Sequence, residues 1–145
     1  MAELLLIVRM AGRRIALSAR EVEAVVELEG LVPVPGAAAH VSGLCALRSR
    51  VLTVIDCRAS LGLEPDGGAD LAEAIVVPSG GHIYALLVEQ VEDVVAASGE
   101  ATPVKSPPGA GWERITRGMI DVGGNLLLLA DPHALIAGPA ALQAA

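Results

Sequence analysis

Phenylalanine is absent from this chain, and Tyr84 and Trp112 are its only aromatic residues. The hydrophobic fraction is nevertheless 53%, so a core has to be built from Val, Leu, Ile and Ala. That composition suits half-buried pleated sheets. Positive charge is also scarce: Lys and Arg number 10 against 17 Asp and Glu, for a formal charge of −7. With no basic face interleaved with aromatics, the chain is not expected to bind nucleic acid. Long apolar runs are missing. The run at residues 4–8 is too short to span a bilayer and lacks the flanks of a signal peptide, so no membrane insertion is expected. Cys45 and Cys57 are the only cysteines and have no metal-type spacing. They read as reduced, partly buried thiols of a cytosolic protein, a compartment that disfavours a disulfide between them.

Catalytic motifs are lacking too. His40 falls in a loop, His82 beside a turn and His133 in a terminal helix, none with a carboxylate or Cys at a recognisable spacing. Ser60, Ser79 and Ser106 have no G-x-S-x-G setting. Gly67-Gly68 and Gly123-Gly124 do not open a helix in a phosphate-binding pattern. Glu21, Glu23, Glu27 and Glu29 read as one solvated strand face rather than a metal site. No enzyme activity, cofactor or metal is therefore expected.

What the chain does have is a repeat. RRIALSAREVEAVV (Arg13 to Val26) and HIYALLVEQVEDVV (His82 to Val95) align without a gap, matching at Ala16/Ala85, Leu17/Leu86, Val22/Val91, Val25/Val94 and Val26/Val95. Further on, Gly43 through Asp56 has a counterpart in Gly118 through Asp131. Ordered self-similarity implies one structural unit built twice. The groove between the halves is then the first place to look for function.

The segments read mostly as strands. Residues 3–9 and 14–17 flank the turn Ala11-Gly12. Residues 21–29 alternate acidic and apolar until Val25-Val26, where a bulge or short helical turn would absorb the extra residue. Pro33, Pro35 and Gly36 mark a loop, and strands 43–47 and 51–55 flank a tip at Arg48-Ser49. Asp56 reads as a helix N-cap and Gly62 as the stop. Residues 64–69 link the halves. The second half repeats the order: strands at 74–77, 84–88 and 91–95, a loop at 98–111, and a hairpin of 119–122 with 126–129 around Gly123-Gly124. Asp131-Pro132 then caps a helix that ends at Gly138-Pro139. Many short strands and little helix predict a mostly-β fold with sandwich or barrel closure, and the doubling favours two small barrels. The runs at 4–8 and 126–129 lie at opposite ends, and either could complete the other half's sheet.

Arg48 is the most suggestive single residue, since a hairpin tip needs small or polar residues but not Arg. It reads either as a solvated turn charge or as an ionic contact to a partner's carboxylate. Asp56 and Asp131 read as structural caps.

The stretch GLCALRSRVLTVIDCRASLGL (residues 43–63) resembles the central motif of CheW-like domains. In that family a Gly-Leu/Val-x-Asn-Leu-Arg-Gly hairpin leads into Pro-Val-Ile-Asp-Leu-Arg and a Leu-Gly-Leu turn. The pattern at 16–25, the Pro-x-Pro-Gly loop at 33–36, YALLVEQVEDVV and RGMIDVGGNLLLLAD fit as well. The resemblance implies one domain over residues 1–137, made of two packed SH3-like five-stranded β-barrels with short helices. The halves would divide near 1–68 and 69–137, with strands open to exchange, and 138–145 would be a flexible tail. It also implies a non-catalytic cytoplasmic adaptor of bacterial chemotaxis, recruited to receptor arrays, that couples chemoreceptor tips to the regulatory domain of the histidine kinase CheA. By position, the family's receptor-facing groove falls on Val22, Gly43, Arg48 and Val88. Val22 and Val88 would supply apolar surface, Gly43 close approach and Arg48 charge. Ala46, Ser49 and Thr53 depart from the pattern. They keep open a divergent module serving another sensory or kinase-regulating pathway.

Overall fold

The computed structural model describes residues 3–64, 73–106 and 108–139. Ten strands run in chain order: β1 (Leu4–Met10), β2 (Arg13–Ser18), β3 (Ala24–Glu27), β4 (Val41–Leu47), β5 (Arg50–Asp56), β6 (Glu73–Ser79), β7 (His82–Leu87), β8 (Gln90–Ala96), β9 (Thr116–Val122) and β10 (Asn125–Ala130). Three short helices accompany them: α1 (Cys57–Ser60), α2 (Ala110–Ile115) and α3 (Pro132–Ala137). Residues 65–69 of the expected link at 64–69, and residues 140–145 of the expected tail at 138–145, lie outside the described residues.

Two five-stranded sheets form, in the orders β8-β1-β2-β10-β9 and β3-β6-β7-β5-β4. The sequence repeat makes β2 equivalent to β7, β3 to β8, β4 to β9 and β5 to β10, so both sheets have the same order in equivalent strands. Each sheet takes its hairpin from the other copy: β1-β2 lies between β8 and β10, and β6-β7 lies between β3 and β5. The parallel contacts also correspond, with Leu129↔Ala16 in one sheet and Val54↔Ala85 in the other.

An isolated bridge draws the two end strands of each sheet together. Val32, beyond β3, bridges Leu44 on β4, and Thr102, beyond β8, bridges Met119 on β9. A further bond from the Ser98 amide to the Asp121 carbonyl tightens the second seam. A Cβ at Gly43 or Gly118 would run into the Val32 or Thr102 carbonyl, so these equivalent glycines allow the seams to close.

The uninterrupted apolar runs of β1 and β6 are explained by burial of both strand faces. Leu5 and Ile7 point into the core of the first-named sheet, while Leu6 and Val8 join a core shared by both sheets. Ala74 and Val76 likewise face the interior of the second sheet, while Ile75 and Val77 join the shared core. Trp112, Ile115 and Leu135 add the helices to that shared core.

Asp56 accepts a hydrogen bond from the Ala59 amide and Asp131 one from the His133 amide, as capping requires. Two local expectations differ. The short helical turn sits at Ala19–Glu21, ahead of Val25-Val26, and the bulge occurs in the second copy alone, where β8 slips against β1 between Ile7 and Val8. Helix α2 begins inside the expected 98–111 loop. Gly109 supplies no side-chain cap, and the helix is held by burying Trp112 and Ile115, one turn apart.

Candidate partner-binding surface

Four hairpins turn on two residues with positive φ: Ala11-Gly12, Arg48-Ser49, Gly80-Gly81 and Gly123-Gly124. This is the type I′ geometry that matches the twist of the flanking strands. Glycine takes the second position in three of them. At Arg48-Ser49 two L-residues hold φ 53° and 75°, a conformation that costs non-glycine residues about 1 kcal/mol or more each. The equivalent tip, Gly123-Gly124, adopts the same geometry with neither side chain. The first copy thus holds an exposed arginine on a strained tip, and Arg48 makes no ion pair among the described residues.

Arg50 closes this turn opposite Leu47 and grips Glu23 with both terminal guanidinium nitrogens, at 2.7 and 3.3 Å. The hydrogen bonds from Arg50 hold the Glu23 carboxyl below its ordinary range. Val22, next to Glu23, is half-buried and packs against the shared core. The ion pair ties the segment ahead of β3 to the start of β5. Gly43 lies farther down β4, about 17 Å from the tip at strand rise, and is buried under Val32 and Pro33. Its close approach is to its own chain. Val88 is 1% exposed within the shared core and has no surface to offer. Of the four expected site residues, Arg48 is exposed and Val22 half-buried, while Gly43 and Val88 stand inside.

Sequence reasoning missed the exposed apolar residues. Val25, Leu31, Val32, Val34 and Val51 stay open to solvent on or beside β3, β4 and β5. Two have exposed equivalents on the other sheet: Val94 for Val25, and Leu126 for Val51. The repeat itself was the signal, because it aligns Val25 with Val94 and Val51 with Leu126.

A second cluster ties the sheets together. Arg117 on β9 donates to both oxygens of Glu21 at 2.6 and 2.8 Å and to Asp131 at 3.0 Å. The Glu21 hydrogen bonds, with the charge of Asp131, raise its guanidinium pKa. His133 sits 3.2 Å from Glu21 through Nε2 and 2.9 Å from the Ser79 hydroxyl through Nδ1. Hydroxyl, imidazole and carboxylate are thus aligned, a contact invisible in the sequence because Glu21, Ser79 and His133 come from distant segments. Glu21 is already committed to Arg117, and the cluster serves as a clasp between β9, α3 and the end of β6.

Helices α1 and α3 meet over Arg114, whose guanidinium donates to the Ser60 and Ala134 carbonyls, both at 2.5 Å. His40 is buried and bonds the Ile136 carbonyl at 2.9 Å. Both cysteines are free and buried, and burial raises the Cys57 thiol pKa far above its ordinary value. Among the described residues, no helix is long and apolar enough to cross a membrane.

The family model for the CheW-like domain matches residues 4–140. Among solved structures, the chain is similar to the scaffolding protein TtCheW from Thermoanaerobacter tengcongensis, with a TM-score of 0.77 and 20% sequence identity. The match covers 93% of this chain and 88% of that one. At this identity the likeness shows the fold. No curated protein sequence matches the chain.

Proposed function

The chain belongs to the CheW-like domain family, and from that membership we propose that it is a non-catalytic adaptor of chemosensory signalling, coupling chemoreceptor tips to the regulatory domain of the histidine kinase CheA. One observation carries this reading beyond family membership. The two equivalent barrels keep the same outward positions apolar, Val25 with Val94 and Val51 with Leu126. A molecule that offers two related surfaces is suited to bridging two partners, and weak contacts at each gain strength through avidity in an array. The adaptor would work in the cytoplasm, recruited to receptor arrays at the membrane.

The receptor-facing contact falls to Val22 and Arg48. Arg48 supplies a cation to a receptor carboxylate and Val22 an apolar contact to an amphipathic helical tip. Gly43 and Val88 act from within, Gly43 by letting the Val32 seam close and Val88 by packing the shared core.

A two-dimensional NMR titration of the labelled protein tests the proposal, first with the cognate CheA regulatory domain and then with a receptor tip. Receptor-induced shifts should cluster at Val22 and Arg48, with a separate set induced by the kinase domain. Silence with both partners would sink the coupling role. Ala46, Ser49 and Thr53 favour a second reading, a module of this fold serving another kinase-regulating pathway. Deleting the gene separates the two: lost chemotaxis supports coupling, and normal swimming bias with another altered trait supports the alternative.

A further inference from the structure

One cavity lies away from the Arg48 tip. It has a volume of about 690 Å³ and opens on the β8-β1-β2-β10-β9 barrel, among the β1-β2 turn, the β9-β10 hairpin and the segment after Thr102. Its lining is unlike the rest of the molecule. On a chain of charge −7, four of the ten basic residues line it: Arg9, Arg13, Arg14 and Lys105. Among the described residues, no carboxylate lines it. Val104, Met119, Leu126 and Leu128 supply apolar lining.

The local charge is only partly neutralised. Glu92 alone serves both Arg9, at 3.6 Å, and Arg14, at 2.6 Å. Glu89 is engaged by the Gly12 amide at 2.6 Å. Arg13 stacks 4.8 Å over Trp112, and Lys105, the chain's only lysine, makes no ion pair among the described residues. Trp112 thereby holds one cation at the rim without consuming its charge. Leu126 stays 59% exposed at the mouth.

We propose that this cavity binds a small amphiphilic carboxylate, its acid group held by Lys105 and Arg13 and its apolar body laid over Val104, Met119 and Leu126. The volume falls within the range of small-molecule sites, which pair an apolar lining with a few placed polar groups. A cationic rim over an apolar floor selects against cationic amphiphiles and against acids with no apolar body. The proposal stands apart from the adaptor reading, since it concerns one barrel and a free ligand.

Decanoate is the probe, with decyltrimethylammonium as a body of the same length and opposite charge. Both are titrated into labelled full-length protein and followed by NMR. Decanoate should shift amides at Thr102, Val104, Lys105, Met119 and Leu126 and bind at least about tenfold more tightly than the cation. Lys105→Glu and Leu126→Ser alter exposed side chains, and each should weaken decanoate about tenfold while the remaining amide spectrum stays native. Equal binding of the two amphiphiles, shifts elsewhere, or an unchanged Kd in both variants overturns the proposal. A Leu-Glu-Leu-Glu-Leu-Glu peptide that binds the same amides more tightly than decanoate also overturns it, and assigns the cavity to a protein partner.

Discussion

The carbonyl oxygen of Val32 fills the space that a Cβ on Gly43 would need, at the one bridge that joins β3's continuation to β4. Gly43 also holds φ at 151°, which L-residues rarely adopt. Gly43→Ala should therefore cost about 2–4 kcal/mol, overpacking and backbone strain together. Gly118→Ala, against the Thr102 carbonyl, should cost about 1–3 kcal/mol. Urea unfolding measures both. Native stability in either variant would show that the seam tolerates a side chain. Lost partner binding in a destabilised Gly43 variant would follow from the opened seam rather than from a missing contact.

The Arg48-Ser49 tip separates strain from recognition. Ser49→Gly relieves the left-handed residue and should raise stability by about 1 kcal/mol. Arg48→Ala removes an exposed charge and should change stability by less than about 1 kcal/mol, while weakening receptor or kinase binding. A large fall in Tm with unchanged affinity would make Arg48 a structural residue.

Much of this was legible in the chain because the information was local. Asp56 and Asp131 announce their helices by capping chemistry, and Gly123-Gly124 announces its hairpin. The repeat at Val25/Val94 predicted a doubled unit. What was not legible depends on how distant segments meet. Nothing local tells β1 and β2 to pair with β8 and β10 rather than with β3, since an apolar strand buried on both faces suits either sheet. Val88 looks like any strand valine until the shared core closes over it. Helix α2 lacks a cap and depends on tertiary burial of Trp112.

Burial makes the two thiols inert. Cys57 is held protonated by desolvation, reinforced by the neighbouring Asp56 charge, and Cys45 is buried in a different cluster. The thiolate is the reactive species. Ellman's reagent should therefore titrate no fast thiol in the native protein and both cysteines after unfolding. Rapid native labelling of Cys57 would mean that α1 opens readily.

The Glu23–Arg50 pair predicts a pH effect of defined sign. Because the Glu23 carboxyl is depressed, its contribution to stability is present above the ordinary glutamate value and is lost as pH falls through the depressed one. Arg50→Gln should bring the Glu23 titration, read by carboxyl NMR, back up to its ordinary range. The stability difference between variant and wild type should vanish in acid and shrink in high salt, as befits an exposed pair. A midpoint unmoved by the substitution would mean that the pair does not persist in solution.

Arg114 joins what the two copies built separately. Helix α1 follows β5 of one sheet and α3 follows β10 of the other, and one guanidinium serves the C-terminal carbonyls of both. The Ser60 hydroxyl completes the junction by donating to the Leu135 carbonyl at 2.6 Å. Burial without a carboxylate partner lowers the Arg114 pKa, so its charge is held by carbonyl dipoles. Arg114→Met would leave the Ser60 carbonyl unpaired and the Ala134 carbonyl with the Gly138 amide alone, at a cost of about 1–3 kcal/mol. Arg114→Lys should recover less than half of that, because a single ammonium cannot span two carbonyls as a planar fork does. Urea unfolding checks both variants. A lysine variant as stable as wild type would show that charge, rather than the fork, holds the barrels together.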